Sequence, residues 1–257
     1  MRKLFCESET GMYDQPKFLS SGDSCLVVEF SDGIEMEANI MLQNLRRRMA
    51  DMRVRGVREF VPTYRSLSIH HDPVKLPREK LETIVRGAMD GIGGTDEPER
   101  RVLVMPVAYG GEFGPDMANV AEHTKLGESE IIRRHTARGY YCYMLGFTPG
   151  FSYLGGLDET LATPRLKTPR TLIPAGSVGI AGNQTGAYSI DSPGGWQLIG
   201  RTPLKLFDPG NSENPTLIDA GDWIRFRSVT KDEFDAIKRG VDDGTYTPER
   251  VTERGGE

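Results

Sequence analysis

Glycine and proline are concentrated in five segments after residue 100, and these segments also carry arginine and aromatic side chains. The segments are 109–116, 146–157, 163–170, 173–186 and 192–203. Glycine permits positive φ angles and proline fixes turns, so loops of this composition are held in defined shapes. Rigid loops with aromatic and guanidinium groups can form a pocket for a planar, anionic small molecule. The same loops can turn the corners of a β-barrel, and their composition fits both interpretations.

Three arginines in these loops are the candidate anion ligands, and the alternative is that they form salt bridges on a barrel surface. Arg165, Arg170 and Arg201 can each form forked, charge-assisted hydrogen bonds with a carboxylate or a phosphate. The candidates for a pocket wall are Tyr143, Phe147 and Trp196. The candidates for a backbone anion nest are Gly176, Ser177 and Gly179. Gln184 is the candidate for recognising an amide group. The aromatic residues are equally suited to core packing.

Two further residues are candidates for proton transfer. The imidazole of His135 and the carboxyl group of Asp116 are the types of group that act as general acids and bases. A histidine within a helix is more often packed or exposed than catalytic, so a structural role for His135 stays open. The four histidines and three cysteines show no metal-ligand spacing, so no metal site is predicted.

The common catalytic motifs are absent from the sequence. It contains no H-E-x-x-H, no G-x-S-x-G and no Walker A loop. GSVGIAG, at residues 176–182, has glycines three apart, but it lies between predicted strands. It therefore lacks the helix that a dinucleotide-binding fingerprint needs.

Length, composition and charge are those of a globular protein. The chain has 257 residues, of which 37% are hydrophobic and 27% charged, and its net charge is -5. An acidic balance argues against nucleic-acid binding. The N-terminus lacks the apolar segment of a secretory signal, and no run approaches the about 18 apolar residues of a membrane span. Together with scattered, free cysteines, these features predict a cytoplasmic protein.

Hydrophobic periodicity predicts an α+β chain with two domains that meet near a polar link at residues 90–99. The predicted segments are an N-terminal arm (1–17), a small α/β domain (18–98), a β-rich domain (99–230) and a terminal helix with a tail (231–257). The first domain shows the order strand, helix, strand, strand, helix, and a strand at 101–109 fits either side of the boundary. After residue 139, short apolar runs between turn signals predict a closed or nearly closed β structure.

Four long motifs resemble those of one protein family. They are YMLGFTPGFSYLGGL, PRLKTPR, PAGSVGIAGNQTG and SPGGWQLIGRTP, at residues 143–157, 164–170, 174–186 and 192–203. GDSCLVVEF and YGGEFGPDMANVAEHT also look like family segments, and the resemblance runs from Gly22 to Phe226. On these motifs the chain is identified as a member of the family of KipI, allophanate hydrolase subunit 1 and the 5-oxoprolinase B subunit. The resemblance implies proline in many relatives at the position of Ser152, a departure that should change loop stiffness more than chemistry.

The resemblance implies both a fold and partners. The implied fold is a small N-terminal α/β domain followed by a cyclophilin-like β-barrel domain. The implied partners are a KipA or 5-oxoprolinase C-type protein and a 5-oxoprolinase A-type protein, with activity only in their company.

Three functions share these motifs. The main hypothesis is the B subunit of a 5-oxoprolinase complex, in which ATP used by the complex drives cleavage of 5-oxo-L-proline to L-glutamate. The second is a component of a biotin-dependent carboxyltransferase acting on urea or a similar small amide, although the chain lacks a biotin-carrier sequence. The third is a KipI-like inhibitor that binds a histidine kinase.

Overall fold

In a computed structural model, the chain folds into two compact units that divide between residues 97 and 98. The structure describes residues 11–92 and 100–253. Most of the predicted link at 90–99 and the first part of the predicted arm therefore lie outside the described residues. No helix in these described ranges is long and apolar enough to cross a membrane.

A four-stranded antiparallel sheet and two helices make up the first unit. Its elements are β1 (Met12–Ser20), β2 (Cys25–Ser31), α1 (Met36–Asp51), β3 (Val57–Pro62), β4 (Ser66–His71) and α2 (Arg78–Met89). The strands lie in the order β1-β2-β4-β3. Alternate residues of a strand face opposite sides of the sheet. Leu26, Val28 and Phe30 of β2 thus share one face and pack in a core with Leu42 and Leu45 of α1.

The sequence prediction for the first unit is wrong in one strand. Residues 12–17, assigned to a loose arm, form the start of β1, which pairs with β2. β1 is an edge strand with most of its side chains exposed, so its sequence lacks the apolar alternation of a half-buried strand. The strand predicted at 101–109 belongs to the second unit, and β1 instead completes the first sheet.

The second unit contains the remaining strands and three α-helices of the described chain. Its elements are β5 (Arg100–Tyr109), α3 (Met117–Thr124), α4 (Glu128–Thr136), β6 (Gly139–Leu145), β7 (Ser152–Gly155), a 3-10 helix (Glu159–Leu161), β8 (Arg170–Ile173), β9 (Ser177–Ala181), β10 (Gln184–Ala187), β11 (Ser192–Gly194), β12 (Gln197–Arg201), β13 (Trp223–Ser228), α5 (Lys231–Asp242) and β14 (Arg250–Glu253).

Strands of the second unit close into a barrel. Their order is β12-β9-β10-β7-β6-β13-β5, and β12 pairs again with the end of β5 at Tyr109 and Ala108. The interior is filled by buried apolar side chains, among them Met105, Tyr140 and Phe226. β8 and β11 form a separate antiparallel pair. An α/β domain followed by a β-barrel domain is the fold class predicted from the sequence, and it is confirmed.

The last part of the described chain is more than the predicted helix and tail. After α5, β14 pairs antiparallel with residues 100–103 of β5. Its Glu253 carboxylate lies 2.6 Å from the Arg225 guanidinium of β13. β14 therefore belongs to the barrel sheet, and the predicted domain end at residue 230 is wrong. Like β1, β14 is a polar edge strand and gives no apolar alternation.

Candidate functional site

Asp116 and Arg170 form an ion pair that joins a helix start to two strands. Asp116 precedes α3 and is only 4% exposed. Its Oδ1 accepts a hydrogen bond of 2.6 Å from Arg170 Nη2 on β8, and its Oδ2 accepts one of 2.7 Å from the Leu198 N–H on β12. Because both carboxylate oxygens are engaged, the geometry fits Asp116 for positioning Arg170 better than for proton transfer.

One end of the Arg170 guanidinium has no protein partner among the described residues. Nη2 is bonded to Asp116, whereas Nη1 is buried and makes no hydrogen bond to any described residue. A buried donor without a partner costs free energy, and in native proteins it often marks a ligand or a bound water. The Arg170 side chain as a whole is 31% exposed, so part of the guanidinium's surroundings is open to solvent although Nη1 itself is buried.

An aromatic cluster lies beside this arginine. Phe151, Tyr188 and Trp196 pack edge to face, with Phe151 ring centroids 5.3 Å from Tyr188 and 5.6 Å from Trp196. Burial raises the pKa of the Tyr188 hydroxyl to about 12, and the charges of Arg165 and Arg170 act in the opposite direction. Trp196, a predicted wall residue, thus packs against a tyrosine that was not among the predicted site residues, and two predicted anion ligands are near enough to act on its pKa.

Phe147 extends this cluster toward solvent. Its ring lies 5.6 Å from that of Phe151, and 61% of the residue is exposed. Its φ of +62° is in the left-handed region, which bulky residues rarely adopt. An exposed aromatic ring held in a strained loop suits contact with another molecule better than core packing. Tyr143, by contrast, is buried on β6 and packs edge to face with Tyr141 at 5.0 Å.

His135 is fully buried between α4 and the barrel. Thr185 Oγ1 donates to the Gly179 carbonyl at 3.0 Å, so it accepts from His135 Nε2 at 2.8 Å. Nδ1 is then unprotonated and accepts from the Tyr109 hydroxyl at 2.7 Å. Burial lowers the pKa of His135 to about 3. With both ring nitrogens bonded inside the core, His135 is placed to support the barrel, and a substrate cannot reach it in this conformation.

The predicted anion nest at Gly176, Ser177 and Gly179 is wrong. The Gly176 N–H donates to the Tyr188 carbonyl at 2.7 Å, and the Ser177 N–H donates to the Pro174 carbonyl at 3.2 Å. Gly179 lies within β9, which has β10 on one side and β12 on the other. These N–H groups serve a turn and a strand ladder, so none is left for an anion.

The remaining two candidates lie in different surroundings. Gln184 begins β10, where it pairs with Ala181. Arg201 ends β12, and its Nε donates to the Ala175 carbonyl at 3.2 Å. Arg201 lines a cleft of about 450 Å³ together with residues of α5 such as Phe234.

Arg165 lies in a different cleft, which has a volume of about 640 Å³ and shares no lining residue with the first. Four of its lining residues carry basic groups, and the sequence motifs pointed to only one of them. They are His123, Lys125, Arg165 and Lys167. The cleft lies where the loop before β8 passes α3 and the start of β12. In the described parts of the chain, no group of three or more histidine, cysteine or acidic residues is arranged to hold a metal ion.

Known proteins match this chain over most of its length. Residues 16–218 match the family described as the carboxyltransferase domain, subdomain C and D. The chain is 41% identical over 228 residues to the 5-oxoprolinase B subunit of Bacillus subtilis (strain 168), covering 84% of this chain and 94% of that protein.

Solved structures share the fold. The crystal structure of TTHA0988 matches with a TM-score of 0.72 and 32% identity, and the match covers 80% of this chain but only 40% of that longer chain. The Kluyveromyces lactis urea carboxylase matches with a TM-score of 0.71 over 96% of this chain and 25% of that protein. At 18% identity, this second likeness shows the fold alone. Since the family match spans most of its residues, the chain belongs to the carboxyltransferase-domain family, subdomain C and D, which includes the 5-oxoprolinase B subunit.

Proposed function

We propose that this chain is the B subunit of a 5-oxoprolinase complex, which cleaves 5-oxo-L-proline to L-glutamate with hydrolysis of ATP. The observation that carries the proposal is the 41% identity to the Bacillus subtilis protein, because the match covers 94% of that protein and spans both units of this chain. A match confined to the barrel would support no more than a shared fold.

The proposed reaction needs ATP because the substrate is a resonance-stabilised lactam. Transfer of the terminal phosphoryl group of ATP to the amide oxygen would remove the amide resonance and activate the carbonyl carbon. Attack by one water, with the protonated ring nitrogen leaving as the amine, would open the ring to an acyl phosphate. A second water would then release phosphate, so the products are L-glutamate, ADP and phosphate. The sequence has no Walker A loop, so the P-loop arrangement of phosphate binding is not the one used by this chain.

Arg170 and the neighbouring aromatic cluster are the groups that best fit 5-oxoproline on this chain. The substrate is a small, flat ring with one carboxylate. The Nη1 of Arg170 is buried without a partner among the described residues, so its donation to that carboxylate, with Nη2 still bonded to Asp116, requires the surrounding loops to open. The exposed ring of Phe147 can cover an apolar ring face. Asp116 is then a positioning residue and does not take part in proton transfer.

Partner proteins are part of the proposal. The matched family region is described as subdomains C and D only, so the chain holds one part of a carboxyltransferase-like assembly. We propose that a 5-oxoprolinase C-type protein and a 5-oxoprolinase A-type protein complete the enzyme. The buried, unpaired thiols of Cys25 and Cys142 suit the reducing cytoplasm as its compartment.

Reconstitution tests the proposal directly. The chain is mixed with its co-encoded C-type and A-type proteins, and L-glutamate formed from 5-oxoproline is measured with and without ATP. We expect ATP-dependent turnover by the three proteins together and none by this chain alone. Turnover by the isolated chain would contradict the need for partners. An inactive complex that instead carboxylates urea with a biotin carrier, or a chain that binds a histidine kinase tightly, would replace the proposal.

Matched variants locate the site within the reconstituted complex. Arg170→Gln removes the guanidinium beside Asp116, and Arg201→Gln removes one from the separate cleft near α5. Loss of a charge-assisted contact with the carboxylate should raise the KM for 5-oxoproline about tenfold or more in Arg170→Gln. Arg201→Gln should keep the wild-type KM. Equal effects of the two variants would remove Arg170 from the substrate site.

A further inference from the structure

The cleft of about 640 Å³ holds cations that the protein itself does not neutralise. Lys125, Arg165 and Lys167 line it, and within the described residues none of them has an ion pair or a hydrogen-bond partner. Most other lysines and arginines of the second unit are paired with carboxylates, as Arg134 is with Glu130. Unpaired cations are thus gathered in one place on a protein whose net charge is -5.

The backbone that carries these cations is fixed. The Thr163 N–H donates to the Gly182 carbonyl at 3.1 Å, and the Leu166 N–H donates to the Gly195 carbonyl at 2.7 Å. Lys125 ends α3 with a φ of +60°, in the left-handed conformation of a helix cap. The positions of the three side chains along the cleft are therefore set by the fold, while their charged ends stay exposed.

The base of the cleft is polar and ordered. Gln197 is buried, and its Nε2 donates to the Pro164 carbonyl at 2.9 Å. Its Oε1 accepts from Asn119 Nδ2 at 3.3 Å. This leaves the second N–H of the Asn119 amide available to a ligand oxygen. His123 adds a further group that can carry positive charge, and Glu122 is the one carboxylate among the lining residues.

The number of cations indicates the charge of the ligand. One arginine is enough to satisfy a single carboxylate through a bidentate pair. Three cations against the single carboxylate of Glu122 leave a net charge of about +2 in the cleft, which matches a ligand with two or more negative charges. The volume lies within the range of small-molecule sites, roughly 300–1,000 Å³.

We propose that this cleft binds the phosphate chain of a small molecule that carries two or more phosphates. Lys125, Arg165 and Lys167 neutralise the phosphate oxygens, and the exposed amide of Asn119 donates a further hydrogen bond. The inference extends the proposed function and rests on it only for the biological source of the phosphates. Binding itself requires this chain alone.

Titration calorimetry on the full chain tests the site, with inorganic pyrophosphate and ATP as the two probes. The Arg165→Ala/Lys167→Ala double variant should lose about a hundredfold or more in affinity for both, because two charge-assisted contacts are removed. The matched control is Arg239→Ala, which removes an exposed arginine of α5 that lies outside the cleft. Affinity should also fall as NaCl is raised, since exposed charges are screened.

Each outcome decides the proposal. Binding of both probes with loss only in the double variant supports it, and tighter binding of ATP than of pyrophosphate then identifies a nucleotide as the ligand, whereas equal binding identifies the phosphate chain alone. Absence of binding by the wild-type chain, or equal losses in the double variant and Arg239→Ala, would overturn it. Circular dichroism of each variant checks that the fold is kept. A complex that fails to cleave 5-oxoproline while the chain still binds pyrophosphate would refute the proposed function only.

Discussion

His135 has a single tautomer because two hydroxyl groups fix it. Thr185 accepts a hydrogen bond from Nε2, and Tyr109 donates one to Nδ1. A proton added to Nδ1 would point at the Tyr109 O–H, and that hydroxyl would have to rotate and become the acceptor. Burial raises the pKa of Tyr109 far above its ordinary value, so that hydroxyl keeps its own proton at any moderate pH. The neutral imidazole is therefore part of the folded structure.

Acid should destabilise the protein through this residue. In the unfolded chain the His135 pKa is 6.5, and in the folded chain burial lowers it to about 3. Between these values the unfolded state binds the extra proton. The free energy of unfolding should therefore fall as pH drops from about 6.5 toward about 3, by up to roughly 1.4 kcal/mol per pH unit from this group.

Urea unfolding of wild type and His135→Gln between about pH 7 and pH 4 measures this contribution. Glutamine is neutral throughout, so the stability advantage of the wild type over the variant should shrink as pH falls. Carboxylates such as Glu130, whose pKa is lowered to about 2 by hydrogen bonds from Arg133 and Arg134, titrate equally in both proteins. A difference that is constant with pH would show that His135 takes up its proton equally in the folded and unfolded chains, and would contradict the lowered pKa.

Residue types in the sequence pointed to part of the candidate site, and distance along the chain explains the rest. Arg165, Arg170 and Trp196 were proposed because arginine and tryptophan stand out in glycine-rich loops. The bond between Asp116 and Arg170 joins residues 54 apart, and no local periodicity reports such a contact. Lys125 was missed for the same reason, because only the fold brings the end of α3 to the loop before β8.

At the scale of elements, the turn before α3 is docked on β12 at very short range. The Gly110 N–H donates to the Ile199 carbonyl at 3.0 Å. A Cβ at Gly114 would lie 2.1 Å from the same carbonyl oxygen. Only a residue without a side chain fits there, and the contact sets the direction in which α3 leaves Asp116.

Gly114→Ala should therefore destabilise the second unit. The clash is with backbone, which cannot rotate away as a side chain would, so we expect a loss of roughly 3 kcal/mol or more in urea unfolding. Gly87→Ala is the control, since it lies within α2 and its added Cβ meets nothing within 4 Å. That change should stabilise the first unit by about 0.5–1 kcal/mol. A neutral Gly114→Ala would mean that the turn can move away from β12.

Elements with an apolar face were predictable, and edge strands were not. β2 and β5 are rich in valine and leucine because they are buried. β1 and β14 are largely exposed and gain their order from backbone hydrogen bonds to a neighbour, which leave little trace in the choice of side chains. The sequence therefore predicted the barrel, but it did not predict β14 at the edge of the barrel sheet or the start of β1 at the edge of the first sheet.

At the scale of the whole molecule, one edge of β5 is shared by two strands. β14 pairs with its first residues, 100–103, and β12 pairs with Ala108 and Tyr109 at its end. The short pairing of β12 with β5 is the seam that closes the barrel, and β14 covers the part of the β5 edge that this seam leaves open.

Removing the residues from 250 onward should expose that edge. The deletion breaks the Arg225–Glu253 ion pair and the β14 ladder, and it leaves unpaired N–H and C=O groups on β5. We expect a lower Tm and concentration-dependent aggregation, since an open strand edge can pair with another chain. Light scattering and differential scanning calorimetry measure both. The Glu253→Gln variant, which keeps the strand, should stay monodisperse, and a truncated chain that also does so would show that β14 is dispensable.

The late position of β14 has a consequence for biosynthesis. β5 leaves the ribosome long before residues 250–253 are made, and the chain is extended by about 5–20 residues per second. During that interval the strand has an open edge, even if the barrel seam has already formed. A chain released without residues 250–253 would therefore display a nearly complete barrel with one open strand edge, which is the kind of surface that chaperones protect.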